Sequence, residues 1–309
     1  MKKISFIIPC YKSEGTIEPV INEVISIVEK NKKYTYEVIC VNDCSPDGVY
    51  ELLIKLAKKN KKIKLINFAK NRNRPSAVMA GLKYATGDYR VIMDDDGQCP
   101  MDDLWDLIKP LEDGKDVSMA KYPERKQGLF KQFGTSVNKF MTRFFLGRPK
   151  DLEFTNFMAI TNIIAEKIIE YDKPYPYLTG LLLRTTQNFQ NVEMEQRGRI
   201  CGSTTFSFRK MFSLWLNGVT AFSIKPLRIS VFIGILFAII GFIYGITQII
   251  LKLCGTDIPT GYSSLLALLL FIGGMIMILL GIIGEYVGRI YISLNNSPQY
   301  TIKELINFD

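Results

Sequence analysis

The chain has 309 residues, 48% of them hydrophobic and 22% charged, so it exceeds one average domain and can bury a sizeable core. Its formal charge of +9 suits anionic partners such as phosphates or a membrane surface, and no nucleic-acid partner is expected. The absence of histidine excludes histidine metal centres and histidine acid–base catalysis, leaving oxygen or sulfur as the metal donors available.

The first hundred residues alternate between two periodicities. Met1-Lys2-Lys3 runs straight into a strand, Ile4 to Pro9, with no signal-peptide core. Ile17, Val20, Ile21, Val24 and Val28 then recur at helical spacing, with Thr16 at the N-cap position. Tyr36 to Val41 reads as a strand ending at Asn42-Asp43, Val49 to Lys59 as a helix, and Ile63 to Phe68 as a third strand. A helix over Ser76 to Ala85 and a strand over Tyr89 to Met93 complete a β-α-β-α-β-α-β order, which implies an α/β fold with a largely parallel sheet. On such sheets ligands bind beyond the C-terminal strand ends. Pro9-Cys10-Tyr11, Asn42-Asp43-Cys44 and Asp94-Asp95-Asp96 all fall there. The six cysteines show neither CxxC pairs nor framework spacing and read as reduced residues.

From Gly128 to Gly147 and from Phe206 to Phe222 the chain is helical in pattern, basic and aromatic. Each stretch fits an ordinary core helix or a helix lying in the lipid headgroup region. Ile229 to Leu251 and Tyr262 to Gly284 carry no charge and are long enough to cross a hydrocarbon core of about 30 Å. Lys210, Lys225 and Arg228 precede the pair, and Arg289 and Lys303 follow it. The positive-inside rule therefore places both termini and the polar domain in the cytoplasm of an inner-membrane protein with two spans. Glycines on both spans permit close helix contact and make a homo-oligomer conceivable. The expected boundaries are 1–205 for the catalytic domain, 206–226 for a juxtamembrane amphipathic helix, 227–290 for the transmembrane hairpin and 291–309 for a cytoplasmic tail.

Asp94-Asp95-Asp96-Gly97-Gln98 follows a buried strand directly. Carboxylates at i and i+2 of such a turn can converge on one hard cation, Mg²⁺ or Mn²⁺, and their mutual repulsion calls for a cation or strong donors. With this turn stand Ile7-Ile8-Pro9-Cys10-Tyr11 and Glu14, Val41-Asn42-Asp43-Cys44-Ser45-Pro46-Asp47, Asn71 with Ala80-Gly81-Leu82, and Ala85-Thr86-Gly87-Asp88. Further on come Arg199-Ile200-Cys201-Gly202, Phe222 to Arg228, and Gly284-Glu285-Tyr286-Val287-Gly288-Arg289-Ile290-Tyr291.

In that order these pieces resemble family 2 glycosyltransferases of GT-A fold, in the group of dolichyl-phosphate mannose synthases and bacterial polyisoprenyl-phosphate glycosyltransferases. The resemblance covers nearly the whole chain. It implies a Rossmann-like GT-A domain with amphipathic interface helices and two C-terminal transmembrane helices. It further implies inverting, metal-dependent transfer of a sugar from a nucleotide diphosphate-sugar to undecaprenyl or another polyisoprenyl phosphate. The donor would be a UDP-sugar, such as UDP-glucose or UDP-N-acetylglucosamine. Carried over by position, Pro9, Tyr11, Glu14 and Asp43 line the nucleotide pocket. Asp94, Asp96 and Gln98 hold the metal, with Asp95 at the variable middle position. Arg125, Lys131, Ser136 and Arg199 grip the diphosphate and the lipid phosphate.

Three departures stand out. The family's Asn-Phe-Gly is Asn71-Arg72-Asn73 here, the glycine usual after Asn-Asp is Cys44, and the carboxylate of its Asp-Phe-Arg element is Asn156. Asn156 cannot act as a base, which leaves Asp151 or Glu153 as nearby carboxylates. Two other readings stay open: an anchored transferase with a non-prenyl acceptor, and an inactive relative serving as a membrane interaction partner.

Overall fold

The computed structural model describes residues 1–123, 142–144, 147–198, 225–254, 261–295 and 298–308. The chain divides into two units, Met1–Phe212 with Asn296–Asp309, and Ser213–Asn295. The first is built on an eight-stranded sheet. Strands β1 (Lys2–Cys10), β2 (Tyr34–Asn42), β3 (Ile63–Phe68) and β4 (Tyr89–Ile92) alternate with helices α1 (Ile17–Glu29), α2 (Val49–Lys59) and α3 (Asn73–Tyr84). Helix α4 (Leu104–Glu112), β5 (Val117–Lys121), β6 (Met158–Thr161), α5 (Asn162–Ile169), α6 (Leu178–Thr185) and β7 (Phe189–Glu193) follow, and β8 (Ile302–Ile306) comes last. The sheet order is β7-β5-β6-β4-β1-β2-β3-β8. Strands β1 to β4 are mutually parallel, as the alternating pattern implies, whereas β6 and β8 pair antiparallel with their neighbours.

The central strands are buried along nearly their whole length, so their apolar runs are continuous rather than alternating. Helix α1 buries Ile17, Val20, Ile21, Val24 and Val28, the stripe its periodicity marks, and α2 and β3 span the residues expected of them. Thr16 does occupy the N-cap position of α1, but its hydroxyl donates to the Ser13 carbonyl and caps nothing in the helix. Helix α3 begins at Asn73, ahead of the expected Ser76, and every residue from Ser76 to Leu82 is buried. It reaches that depth because Gly81 lies against Ile7 of β1, where an added Cβ would overlap the isoleucine side chain.

Strand β8 lies in the segment expected to be a tail. It caps the exposed edge of β3, pairing Leu65 with Ile306 and Asn67 with Glu304. Tyr300 stacks on Phe68 with centroids 5.1 Å apart, the Tyr50 hydroxyl bonds Glu304, and Asn307 Nδ2 donates to the carbonyls of Ala57 and Ile63 at 2.8 Å each.

In the second unit, α7 (Lys225–Leu253) and α8 (Tyr262–Leu294) are long and apolar enough to cross a membrane. Phe237 and Phe271 meet with centroids 5.4 Å apart. The other faces leave Phe232, Phe242 and Met277 open, apolar surface of a kind that soluble monomers rarely present. The basic aromatic stretches at 128–147 and 206–222 lie almost wholly outside the described residues.

Asn307→Ala removes two hydrogen bonds and places a Cβ-bearing residue without asparagine's tolerance at a φ of +64°. The expected loss is about 2 kcal/mol, with Asn307→Gly costing less than alanine because only the bonds are lost. Thermal unfolding of the detergent-solubilised protein measures both, and equal midpoints for the three proteins would contradict the edge-capping role of this segment.

Candidate active site

The site is a ring of four loops at the C-terminal ends of β1 to β4, laced together mainly through backbone N–H groups and carboxylates. After β1, the Tyr11 N–H donates to Asp95 Oδ2 at 3.2 Å, the Lys12 N–H to Ser45 Oγ at 2.7 Å, and the Glu14 N–H to Asp47 Oδ2 at 3.0 Å. After β2, the Ser45 hydroxyl donates to Asp47 Oδ1 at 2.5 Å, and Asn71 and Arg72 from the β3 end close on Asp43. The Arg72 N–H meets Asp43 Oδ1 at 2.6 Å. Three of these loops hold a non-glycine residue in the left-handed region: Lys12 (φ +58°), Cys44 (φ +51°) and Asn73 (φ +69°). Two of the three stand where the resemblance has glycine. The backbone that favours glycine is therefore retained, asparagine tolerating it and Cys44 storing strain beside the site.

Pro9 is buried at the end of β1, opposite Val41 and beyond Ile7, the last residue paired with β4. The Tyr11 side chain is 47% exposed, with Lys12 Nζ 5.7 Å from its ring centroid. Glu14 sits under α2, its Oε2 accepting the Gly48 N–H at 3.0 Å, and a Cβ on Gly48 would overlap that carboxylate. Glu14 thus supports the helix start as well as lying at the strand ends.

The three aspartates fan apart. Asp95 turns inward, and burial pushes its carboxyl up to about 6, with the Ser13 side chain and the Tyr11 N–H opposing. Asp96 accepts the Gln98 N–H at 3.1 Å, closing the turn at Gly97 (φ +75°). Asp94 accepts Arg74 Nε on Oδ1 at 2.6 Å and Asn156 Nδ2 on Oδ2 at 2.7 Å. Asn156 thus stands beside the turn, while Asp151 is exposed on the preceding loop and Glu153 is tied by its backbone to Asn191. The Arg197 N–H donates to the Gln98 carbonyl at 3.2 Å and Gln98 Nε2 donates to the Arg197 carbonyl at 3.4 Å, while the Arg197 guanidinium bridges Glu23 of α1 and Asp102.

Among the described residues no group of three or more acidic or cysteine side chains converges as a metal cluster. Two carboxylates and an amide oxygen, from Asp94, Asp96 and Gln98, do match a hard cation that takes its remaining ligands from phosphate and water. Arg125, Lys131, Ser136 and Arg199 lie outside the described residues. The sequence reading overlooked Arg74 and Arg197. The signal for Arg74 was present, since Lys70, Arg72 and Arg74 put three cations within five residues of a strand end.

The model of glycosyl transferase family 2 matches residues 5–168, and that of the GtrB C-terminal hairpin matches residues 225–290. The chain is 32% identical to the prophage bactoprenol glucosyl transferase homolog of Escherichia coli (strain K12), covering 98% of this chain and 99% of that protein. It is equally identical to the SfII prophage-derived bactoprenol glucosyl transferase of Shigella flexneri, covering 98% of each. Among solved structures, glucosyl-3-phosphoglycerate synthase from Mycobacterium tuberculosis, in complex with Mn²⁺, UDP-glucose and phosphoglyceric acid, superposes with a TM-score of 0.52 at 15% identity. That match covers 71% of this chain and 78% of the synthase, and it supports the GT-A fold.

Burial pushes the Asp43 carboxyl up to about 6, with the Arg72 and Asn73 N–H groups opposing only in part. An unfolded aspartate titrates near 3.9, so the folded protein holds this proton more tightly. Its contribution to stability is full below about pH 4 and is lost as pH rises through about 6, a change of at most about 3 kcal/mol. Asp43→Asn should therefore unfold at a higher temperature than the wild type at pH 8 and at a similar temperature at pH 4. Parallel pH profiles for the two proteins would refute the assignment.

Proposed function

Because the chain belongs to glycosyl transferase family 2, we propose that it transfers glucose from UDP-glucose to a polyisoprenyl phosphate of the undecaprenyl, or bactoprenol, class. The observation that carries this reading is the match to bactoprenol glucosyl transferases over 98% of the chain, with a hairpin model matching at 225–290. The UDP-glucose in the complex of the structural neighbour supports the donor. UDP-N-acetylglucosamine is the alternative, since a few pocket side chains decide between such sugars.

In this reading Tyr11 and Asp43 receive the base and ribose, with Pro9 and Glu14 shaping the pocket beneath them. Asp94, Asp96 and Gln98 hold Mg²⁺ or Mn²⁺, which when bound offsets the charge developing on the departing diphosphate. Arg125, Lys131, Ser136 and Arg199 grip the diphosphate and the acceptor phosphate. A phosphate monoester has a second pKa of about 6, so at neutral pH the acceptor oxygen is already largely ionised. It needs no base, and an amide at Asn156 costs nothing in proton transfer. Asp151, on its exposed loop, is assigned none. The chemistry is then a single in-line displacement with inversion, in which the protein aligns two anions and screens their repulsion.

The two apolar helices span the membrane in this reading. The chain leaves the sheet after β7 and rejoins it at β8, so a pair of crossings returns it to the face it left. Lys225, Arg228 and Lys303 support a cytoplasmic assignment for that face by the positive-inside rule. There the hairpin keeps the catalytic unit at the leaflet that carries the lipid phosphate.

Purified full-length protein with Mn²⁺, radiolabelled UDP-glucose and undecaprenyl phosphate should move label into the organic phase. EDTA should abolish the transfer. Asp96→Ala should lower it by about 100-fold or more while leaving membrane insertion intact. Label that stays in the aqueous phase with every polyisoprenyl phosphate would overturn the acceptor, and full activity in EDTA would overturn the metal.

A further inference from the structure

The fold delivers to the aspartate turn a cation that the sequence motifs did not single out. Arg74 stands in the first turn of α3, and its guanidinium and the Asn156 amide together engage both oxygens of Asp94. Arg74 Nη2 also reaches the Asn156 carbonyl at 3.4 Å, which closes a three-residue ring. Asp94 is therefore already charge-paired and oriented by the chain itself. The Arg74 and Asp94 side chains are 31% and 27% exposed, so solvent and ligands reach the pair.

A divalent cation on Asp94 would lie a few ångströms from a guanidinium, and like charges at that distance repel strongly in a partly buried site. Metal alone must displace Arg74 and leave it without a counter-charge. A diphosphate entering at the same strand ends changes the balance. It offers the planar guanidinium a bidentate pair of charged oxygens, a stronger partner than the single Nε bond to Asp94. Asn156 can stay on Asp94 Oδ2 throughout, because a neutral amide holds the carboxylate without competing for charge.

We propose that Arg74 is an exchangeable counter-ion: it occupies Asp94 in the ligand-free protein and passes to the diphosphate when metal and nucleotide arrive together. The inference rests on the donor reading above. Its consequence is that the site binds metal poorly by itself and well only with the nucleotide, a coupling that is reciprocal.

The test is Mn²⁺ binding to full-length protein in detergent, read from the EPR signal of free Mn²⁺, with and without UDP. In the wild type UDP should tighten Mn²⁺ about ten-fold or more. Arg74→Gln should bind Mn²⁺ alone several-fold more tightly and Mn²⁺–UDP more weakly, so that the coupling falls toward one. Arg74→Lys, which keeps the charge but not the fork, should retain the weak binding of metal alone. Opposite signs for the two ligands cannot come from misfolding, which would weaken both. Arg74→Gln that weakens Mn²⁺ alone, or that leaves the coupling unchanged, overturns the exchange while the donor reading stands. Wild-type protein that binds neither Mn²⁺ nor UDP removes the donor reading and the exchange with it.

Discussion

The strand ends at the centre of the sheet are held together by a half-buried carboxylate beside them, Asp95. It accepts the Tyr11 N–H and so ties the end of β4 to the end of β1. Its burial raises its own proton affinity, a cost that the neighbouring donors only partly offset. That inward turn settles what its neighbours do. With Asp95 committed below, Asp94 meets Arg74 and Asn156 while Asp96 folds back on Gln98. Asn156 and Arg197 thus meet the same turn from two sides, one at Asp94 and the other at Gln98.

The first half of the sheet was legible because its elements obey simple periods. Helix α1 shows a clean apolar stripe, and the buried strands show short continuous apolar runs. Helix α3 was harder, since it is buried on all sides through Ser76–Leu82 and carries no amphipathic signal at its start. Strand β8 was illegible for another reason. Ile302-Lys303-Glu304-Leu305-Ile306 is short and half polar, and its partner β3 lies on the far side of the hairpin in sequence. No local pattern records a pairing of that range.

The candidate site divides in the same way. Asp43, Tyr11 and the aspartate turn could be placed together because each follows the end of a parallel strand, and the structure brings them to one edge of the sheet. The loss of glycine at Cys44 and Asn73 looked like divergence, yet the backbone there keeps the left-handed conformation that glycine serves. Arg74 and Arg197 act through partners distant in sequence: Asp94 and Asn156 for the first, Glu23 and Asp102 for the second. Spacing in the chain cannot announce such pairs.

The position of β8 also bears on the order in which the protein can be made. On a ribosome, β1 to β4 emerge first and can pair at once. The outer edge of β3 then stays open while everything up to β8 is synthesised, the two apolar helices included. An open parallel edge is a template for pairing with the wrong chain. The sheet can be sealed only after the two apolar helices have been synthesised, so completion of the catalytic unit becomes a late event.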